Sequence, residues 1–386
     1  MSKSRENRIV KDKILIGGGG QHRDSSIELF RIITMLCIIA HHYIVNSEIL
    51  EEITRQNILT HNSLFSLLFG CGGKTGINCF VLITGYFMCE SNISAKKFLK
   101  LFIEIEFYKA IFYLAFAFSG YTIFSLKEFT NALIPMQELG GGFVDSYLVF
   151  YLFIPYLNLL IKSMNKMHHL VLIMLCFLSG TILQTFLKAS TAFTYVGWFM
   201  VLYFVGSYIR LYPKKSFQDR KICGISFLIS LVFSWASVFA RAWIYAEMGI
   251  RTIMYQSVDI NRIFAVSTAV SGFLFFKSLH LKYCAIINKF AASAFGVLLI
   301  HANSDMMRQW LWQDILRNVQ VYQSNYLVIH AIASVISIYI ICALIDMVRI
   351  KLLEKPFFNW YDRFLDRKLI SGIQNIGRLL RKEVQK

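Results

Sequence analysis

The chain has 386 residues and a mass of 44.6 kDa, with 56% hydrophobic residues, only 16% charged residues and a mean hydropathy of +0.52. That balance excludes a pair of soluble domains, because the apolar residues fall in separated runs of roughly 15 to 25, about the length needed to cross a ~30 Å hydrocarbon core. The formal charge of +17, from 40 Lys and Arg against 23 Asp and Glu, sits between alternate apolar runs and so speaks to membrane topology, not to nucleic acid.

Residues 1–25 read as a flexible basic tail. Its Gly17 to Gly20 lack the following Lys-Ser/Thr of a phosphate-binding loop, and no small-residue cleavage site precedes further hydrophobic sequence, so the first run is a retained span. Spans are predicted at 27–45, 76–89, 98–120, 142–161, 169–187, 194–211, 222–245, 262–276, 290–303 and 324–348, within a membrane domain over 26–350. The fold class is therefore all-α, a polytopic membrane bundle of about ten transmembrane helices. The second and ninth spans are short. Apolar residues 63–70, followed by Gly70, Gly72, Gly73 and Gly76, predict a broken or re-entrant approach to the second span, which is tolerable where protein or a wet cavity surrounds the unpaired backbone.

With ten spans, 29 Lys and Arg fall on the set of alternate segments that holds both termini, 8 fall on the opposite set and 3 lie within spans. Positive residues flanking short loops stay on the cytoplasmic side, so both N and C termini are expected to be cytoplasmic. Residues 351–386 mix Leu352, Phe357, Phe358, Trp360, Phe364, Leu369, Ile373, Ile376, Leu379 and Leu380 with basic residues, as an amphipathic helix on an anionic inner leaflet would. The eight cysteines lie mainly inside the apolar runs without CxxC or Cys/His spacing and read as small apolar fillers.

Several residues stand in the wrong solvent. The first span reads IELFRIITMLCIIAHHYIV and carries Arg31, His41 and His42. At 100° per residue, Arg31 and His42 return to within about 20° of one face and are about 16 Å apart along the axis, while His41 points about 80° away. Arg31 can also snorkel from the inner end, and a lone histidine can be structural, but a shared stripe favours chemistry. Asp145, Arg241, His301 and His330 fall at compatible outer depths. An outward cavity collecting them with His42 would supply a base and charge-stabilising donors; interspan hydrogen bonds that merely hold the bundle together are the structural alternative. Glu104, Glu106 and Lys109 of the third span suggest an internal ion-pair network. Nothing has metal-ligand spacing, and adjacent His41 and His42 diverge too far on a helix to share an ion, so no metal is expected.

The first-span pattern of a basic residue, ten residues and His, at Arg31 and His42, resembles the acyltransferase 3 family of integral membrane O-acyltransferases. The resemblance extends over roughly residues 24–350. Gly76-Ile77-Asn78-Cys79-Phe80-Val81-Leu82-Ile83-Thr84-Gly85-Tyr86 is similar to the family's second-span pattern, with Thr84 in place of the usual serine. Phe143-Val144-Asp145-Ser146-Tyr147-Leu148, then Pro155 and Asn158, and Ser293-Ala294-Phe295-Gly296-Val297-Leu298-Leu299-Ile300-His301 also resemble family segments.

The resemblance implies transfer of an acyl group, commonly acetyl from acetyl-CoA or another acyl-CoA, to a cell-surface saccharide or its lipid-linked precursor, by a multi-pass plasma-membrane protein. Membrane lipids and polysaccharide-biosynthesis proteins are the implied partners, and nucleic acid is not. Some relatives carry a fused extracytoplasmic domain; here fewer than 40 residues follow the last span, so the unit is expected to act alone or with a pathway partner. On this reading the catalytic set is His42, Arg31 and Asp145. Arg31 holds the donor's phosphates or orients its thioester, because an arginine fork suits phosphate geometry. His42 deprotonates the acceptor hydroxyl for direct transfer, with an acyl-histidine intermediate as the alternative route. Lys74, Arg241, His301 and His330 are the substrate-binding candidates, Lys74 or Arg241 stabilising an oxyanion or holding an anionic acceptor. Buried Arg and His also line transport pathways, which keeps a saccharide exporter as the second reading and a structural scaffold as the third.

Overall fold

A computed structural model describes residues 23–55, 57–91, 93–134, 142–187, 193–249 and 259–363. The expectations for Gly17 to Gly20 and for the tail from Phe364 onward lie outside the described residues. Regular structure among the described residues is helical throughout.

Helix α1, Ser25–Val45, starts where the Asp24 side chain accepts from the Ser26 amide, with Glu28 in the first turn where the helix dipole favours negative charge. It packs against helices from both halves of the chain and is the axis of the bundle. After α2, Ile49–Arg55, come α3, His61–Gly70, and α4, Gly73–Met88, separated by a turn at Cys71 and Gly72. The predicted broken approach to the second span is thus found. The glycines explain how the pair lies against α1: a Cβ on Gly70 would come 2.9 Å from Ile44, on Gly73 2.3 Å from the His41 ring, and on Gly76 2.7 Å from Ile38. Small residues let membrane helices approach closely enough for dispersion to act, where lipid removes the usual hydrophobic drive.

Helix α5, Ala95–Phe118, is capped by Ser94, and a short α6, Leu126–Ala132, follows. Helix α7, Phe143–Ser163, leads to α8, Lys166–Phe177, which continues through a π-turn at Leu178–Ile182 to Leu187. Helix α9, Tyr195–Leu211, crosses α4 at close range, with the added-Cβ position of Gly85 2.8 Å from the Tyr203 carbonyl and that of Gly206 2.6 Å from the Leu82 carbonyl. Helix α10, Arg220–Met248, ends at Gly249 in the left-handed region, φ +65°, as glycine-terminated helices commonly do. Helix α11 spans Ile263–Lys277. The short ninth predicted span is two helices, α12, Ala285–Ala292, and α13, Ala294–His301, broken at Ser293. A cap of α14, Asp305–Gln309, a π-turn at Trp310–Ile315 and α15, Asn318–Tyr322, precedes α16, Leu327–Arg349.

Six helical stretches among the described residues are long and apolar enough to cross a membrane: Ser25–Val45, His61–Met88, Phe143–Ser163, Lys166–Phe186, Arg220–Met248 and Leu327–Arg363. The chain is therefore an all-α polytopic membrane bundle. Of the other four predicted ranges, α9 and α11 are apolar but shorter, α5 carries several charges, and the ninth is broken.

The charges of α5 are divided between two neighbours. Glu104 pairs with Arg349 at 2.9 Å; Arg349 also binds Asp346 at 2.8 Å and Glu354 at 3.1 Å, and Tyr108 donates to Asp346 at 2.8 Å. Glu106 and Lys109 face the other way, towards α7. The single network expected of Glu104, Glu106 and Lys109 is two clusters, because residues 104 and 106 point about 200° apart on a helix.

Candidate active site

His42 opens onto a cavity of about 530 Å³ bounded by α1, α4, α5, α7, α9 and the segment after α13. Its polar lining comes from His42, Lys74, Lys109, Asp145, Tyr195, Asn303, Asp305 and Arg308. Ile38, Ile77, Phe143 and Leu298 supply apolar walls. Of the residues expected to share a cavity, His42 and Asp145 line this one and His301 reaches it through His42; the substrate-binding candidate Lys74 lines it too.

Each polar group is held by an identifiable partner. Lys74, in the first turn of α4, donates to the Tyr195 hydroxyl at 2.8 Å. Asp145, in the first turn of α7 where the helix dipole favours a carboxylate, is 7% exposed and lies 3.4 Å from the Lys109 ammonium. Lys109 also faces Glu106 at 3.8 Å, and Arg308 pairs with Asp305 at 2.8 Å.

The histidines of α1 diverge as their spacing requires. His41 Nδ1 lies 2.7 Å from the Gly70 carbonyl, so its ring occupies the notch left by Gly73 and ties α1 to the end of α3. His42 Nδ1 lies 3.0 Å from Nε2 of His301. His301 is fully buried at the last residue of α13, with its own Nδ1 2.6 Å from the Val297 carbonyl.

Arg31, Arg241 and His330 are not among the lining residues of this cavity. Arg31 Nε lies 3.5 Å from Glu28, which Arg23 also approaches at 3.6 Å; the arginine side chain keeps 25% of its exposure. It therefore sits towards the N-terminal end of α1 on the stripe that ends at His42. His330 Nδ1 bonds the hydroxyl of the fully buried Tyr43 at 2.8 Å, and Arg241 is a half-buried residue of α10.

Residues that had no place in the site on sequence grounds complete the wall. Lys109 was visible as a charge in an apolar run, but its position beside Asp145 depends on α5 and α7 being neighbours. Tyr195, Asn303 and Arg308 carried no local signal. Motif residues Asn78 and Asn158 serve packing: Asn78 bonds the Ile260 carbonyl and the Trp198 indole, and Asn158 bonds the Met88 carbonyl and the Tyr203 hydroxyl. Thr84, where the family pattern has serine, meets the Tyr147 hydroxyl at 2.9 Å. Among the described residues no group of three His, Cys, Asp or Glu is arranged to hold a metal ion.

The acyltransferase 3 family model, described as an acyltransferase domain, matches residues 24–347. No curated protein matches the chain, and no solved structure does.

Proposed function

The chain belongs to the acyltransferase 3 family, and from that premise we propose that this membrane acyltransferase moves an acyl group, acetyl from acetyl-CoA in the simplest case, onto a hydroxyl of a cell-surface saccharide or its lipid-linked precursor. The observation that carries this reading is His42, aligned with Arg31 on α1 and opening onto a 530 Å³ cavity whose polar wall suits a hydroxylated acceptor. A pocket of that size, with a few convergent polar groups on apolar walls, is what small-ligand sites generally look like.

In the reading proposed here the span count is ten, with both termini cytoplasmic in a plasma-membrane protein, which the 29 to 8 distribution of Lys and Arg supports. Acyl-CoA then approaches from the inner side, where the Arg31 guanidinium takes its phosphate groups. The acceptor enters the outer cavity. His42 removes the proton of the acceptor hydroxyl as its oxygen attacks the acyl carbonyl; the carbon–sulfur bond breaks, and the proton returns from His42 to the departing CoA thiolate. Lys74 and the Lys109–Asp145 pair border the place where negative charge develops, and a fixed cation in a site with little water is worth more than in bulk solvent.

Membranes containing wild type or His42→Ala, matched for inserted protein, are incubated with radiolabelled acetyl-CoA and extracted surface glycans or lipid-linked precursors. Label passes to the glycan with wild type and drops by at least about 10²-fold with His42→Ala, the range lost with a general base. Equal transfer by the two proteins removes His42 from the chemistry.

A further inference from the structure

Resting on the assignment of His42 as the base, we infer that His301 is a positioning residue that holds His42 in the tautomer with its proton on Nδ1 and its free lone pair on Nε2, facing the cavity.

The argument is one of donors and acceptors. A carbonyl only accepts, so the 2.6 Å contact between His301 Nδ1 and the Val297 carbonyl puts a hydrogen on His301 Nδ1. In a neutral imidazole the other nitrogen is then an acceptor, which makes His301 Nε2 a lone pair aimed at His42 Nδ1, 3.0 Å away. His42 Nδ1 must therefore be the donor of that bond, and in the neutral ring its Nε2 is unprotonated. Nε2 of His42 has no protein partner among the described residues, and His42 is a lining residue of the cavity. The nitrogen able to take a proton is thus the one that faces the acceptor. Without such a partner, a histidine ring ordinarily prefers its proton on Nε2, the tautomer that cannot act as base from this face.

The surroundings hold His301 in place. Its ring is fully buried, with Trp312, also fully buried, edge-on at 6.4 Å between centroids. Val297 lies one turn back on the same helix, so the anchoring carbonyl moves with the ring it orients. Both ring nitrogens of His301 are occupied, leaving neither for a substrate, and this moves His301 out of the substrate-binding group in which the sequence alone would put it. The neighbouring His41 does not compete for the role, since its Nδ1 is engaged by Gly70 and its ring centroid is 5.9 Å from that of His42. When His42 takes up the acceptor's proton, the bond from its Nδ1 to His301 persists, so no hydrogen bond is broken as the imidazolium forms.

The test uses full-length protein in detergent, with His301→Gln, whose amide oxygen can still accept near the original nitrogen, and His301→Leu, which cannot. Diethyl pyrocarbonate attacks only an unprotonated ring nitrogen, and peptide mass spectrometry reads its rate at His42. His42 in His301→Gln reacts at close to the wild-type rate, and in His301→Leu severalfold more slowly. In the acetyl-CoA assay His301→Leu lowers kcat by about 10²-fold or more with KM for donor and acceptor unchanged, while His301→Gln recovers a large part of the loss. A His42 modification rate that is the same in all three proteins overturns the inference, as does a rise in KM with kcat intact. Absence of transfer by wild type sinks the proposed function; the modification rates then still decide the tautomer on their own.

Discussion

Lys109 and Asp145 are 36 residues apart in sequence, on α5 and α7, and meet at 3.4 Å in the wall of the cavity, with Glu106 behind the lysine at 3.8 Å. Removing one member of a largely buried pair takes away part of what compensates the other charge. Lys109→Met should therefore lower unfolding stability by about 1–3 kcal/mol, a range reduced for partial exposure. The double change Lys109→Met with Asp145→Leu should recover only part of that loss in a thermal-unfolding assay, because Glu106 still loses its lysine. If that double variant, inserted at the wild-type level, still fails to transfer label, the Lys109–Asp145 pair acts in the reaction and does not merely support the wall. Lys74 offers a second measurement. Its ammonium is fixed by Tyr195, so Lys74→Ala should raise the KM for an anionic acceptor by about tenfold, with a smaller effect on a neutral one. Legibility at this scale follows the range of the interaction. Arg31 and His42 could be read from the sequence because one rigid helix fixes their relation and each is conspicuous among apolar neighbours. His42 and His301 could be grouped only by depth, and the contacts themselves, Lys109 with Asp145 and His42 with His301, could not be read, since each depends on which spans adjoin.

The break between α3 and α4 shows how an element can be set by what it must avoid. Gly73 sits where a methyl group would fall 2.3 Å from the His41 ring, while the corresponding contact at Gly72 is 3.2 Å from Cys37. Gly73→Ala should therefore force the ring off the Gly70 carbonyl and lower stability by about 1–3 kcal/mol, with Gly72→Ala milder, as compared by thermal unfolding of the purified proteins. Because His41 and His42 are adjacent in sequence, the Gly73 change should also lower transfer. The glycine cluster made this break legible. The break at Ser293 and the π-turns at Leu178–Ile182 and Trp310–Ile315 were not, because no glycine or proline cluster marks them. Asp346 is a related case: its carboxylate fills the space beside Gly296, where a Cβ would come within 2.4 Å of Oδ1, so α13 and α16 approach closely at a polar residue that hydropathy does not register.

Across the whole molecule, Lys and Arg imply a sidedness that can be tested directly. In a cysteine-free background, a cysteine introduced at Lys355 should react with a membrane-impermeant maleimide only in inside-out vesicles, and one at Phe124 only in right-side-out vesicles. Labelling of both from one side would overturn the ten-span topology. The burial pattern matches the expected solvent: α10 exposes Ile225, Leu228, Ile229, Val232 and Phe233, as a helix against lipid can, while α1 is surrounded by other helices.

The placement of Arg31 and His42 on one uninterrupted helix makes α1 a ruler. Backbone hydrogen bonds hold their separation at about 16 Å whatever the rest of the bundle does. A donor gripped at one end and reacting at the other must match that length with its own arm. Short acyl thioesters that lack the nucleotide end should react at His42 with kcat little changed and KM greatly raised. Selectivity for the donor would then reside in a distance, set before any pocket has closed around it.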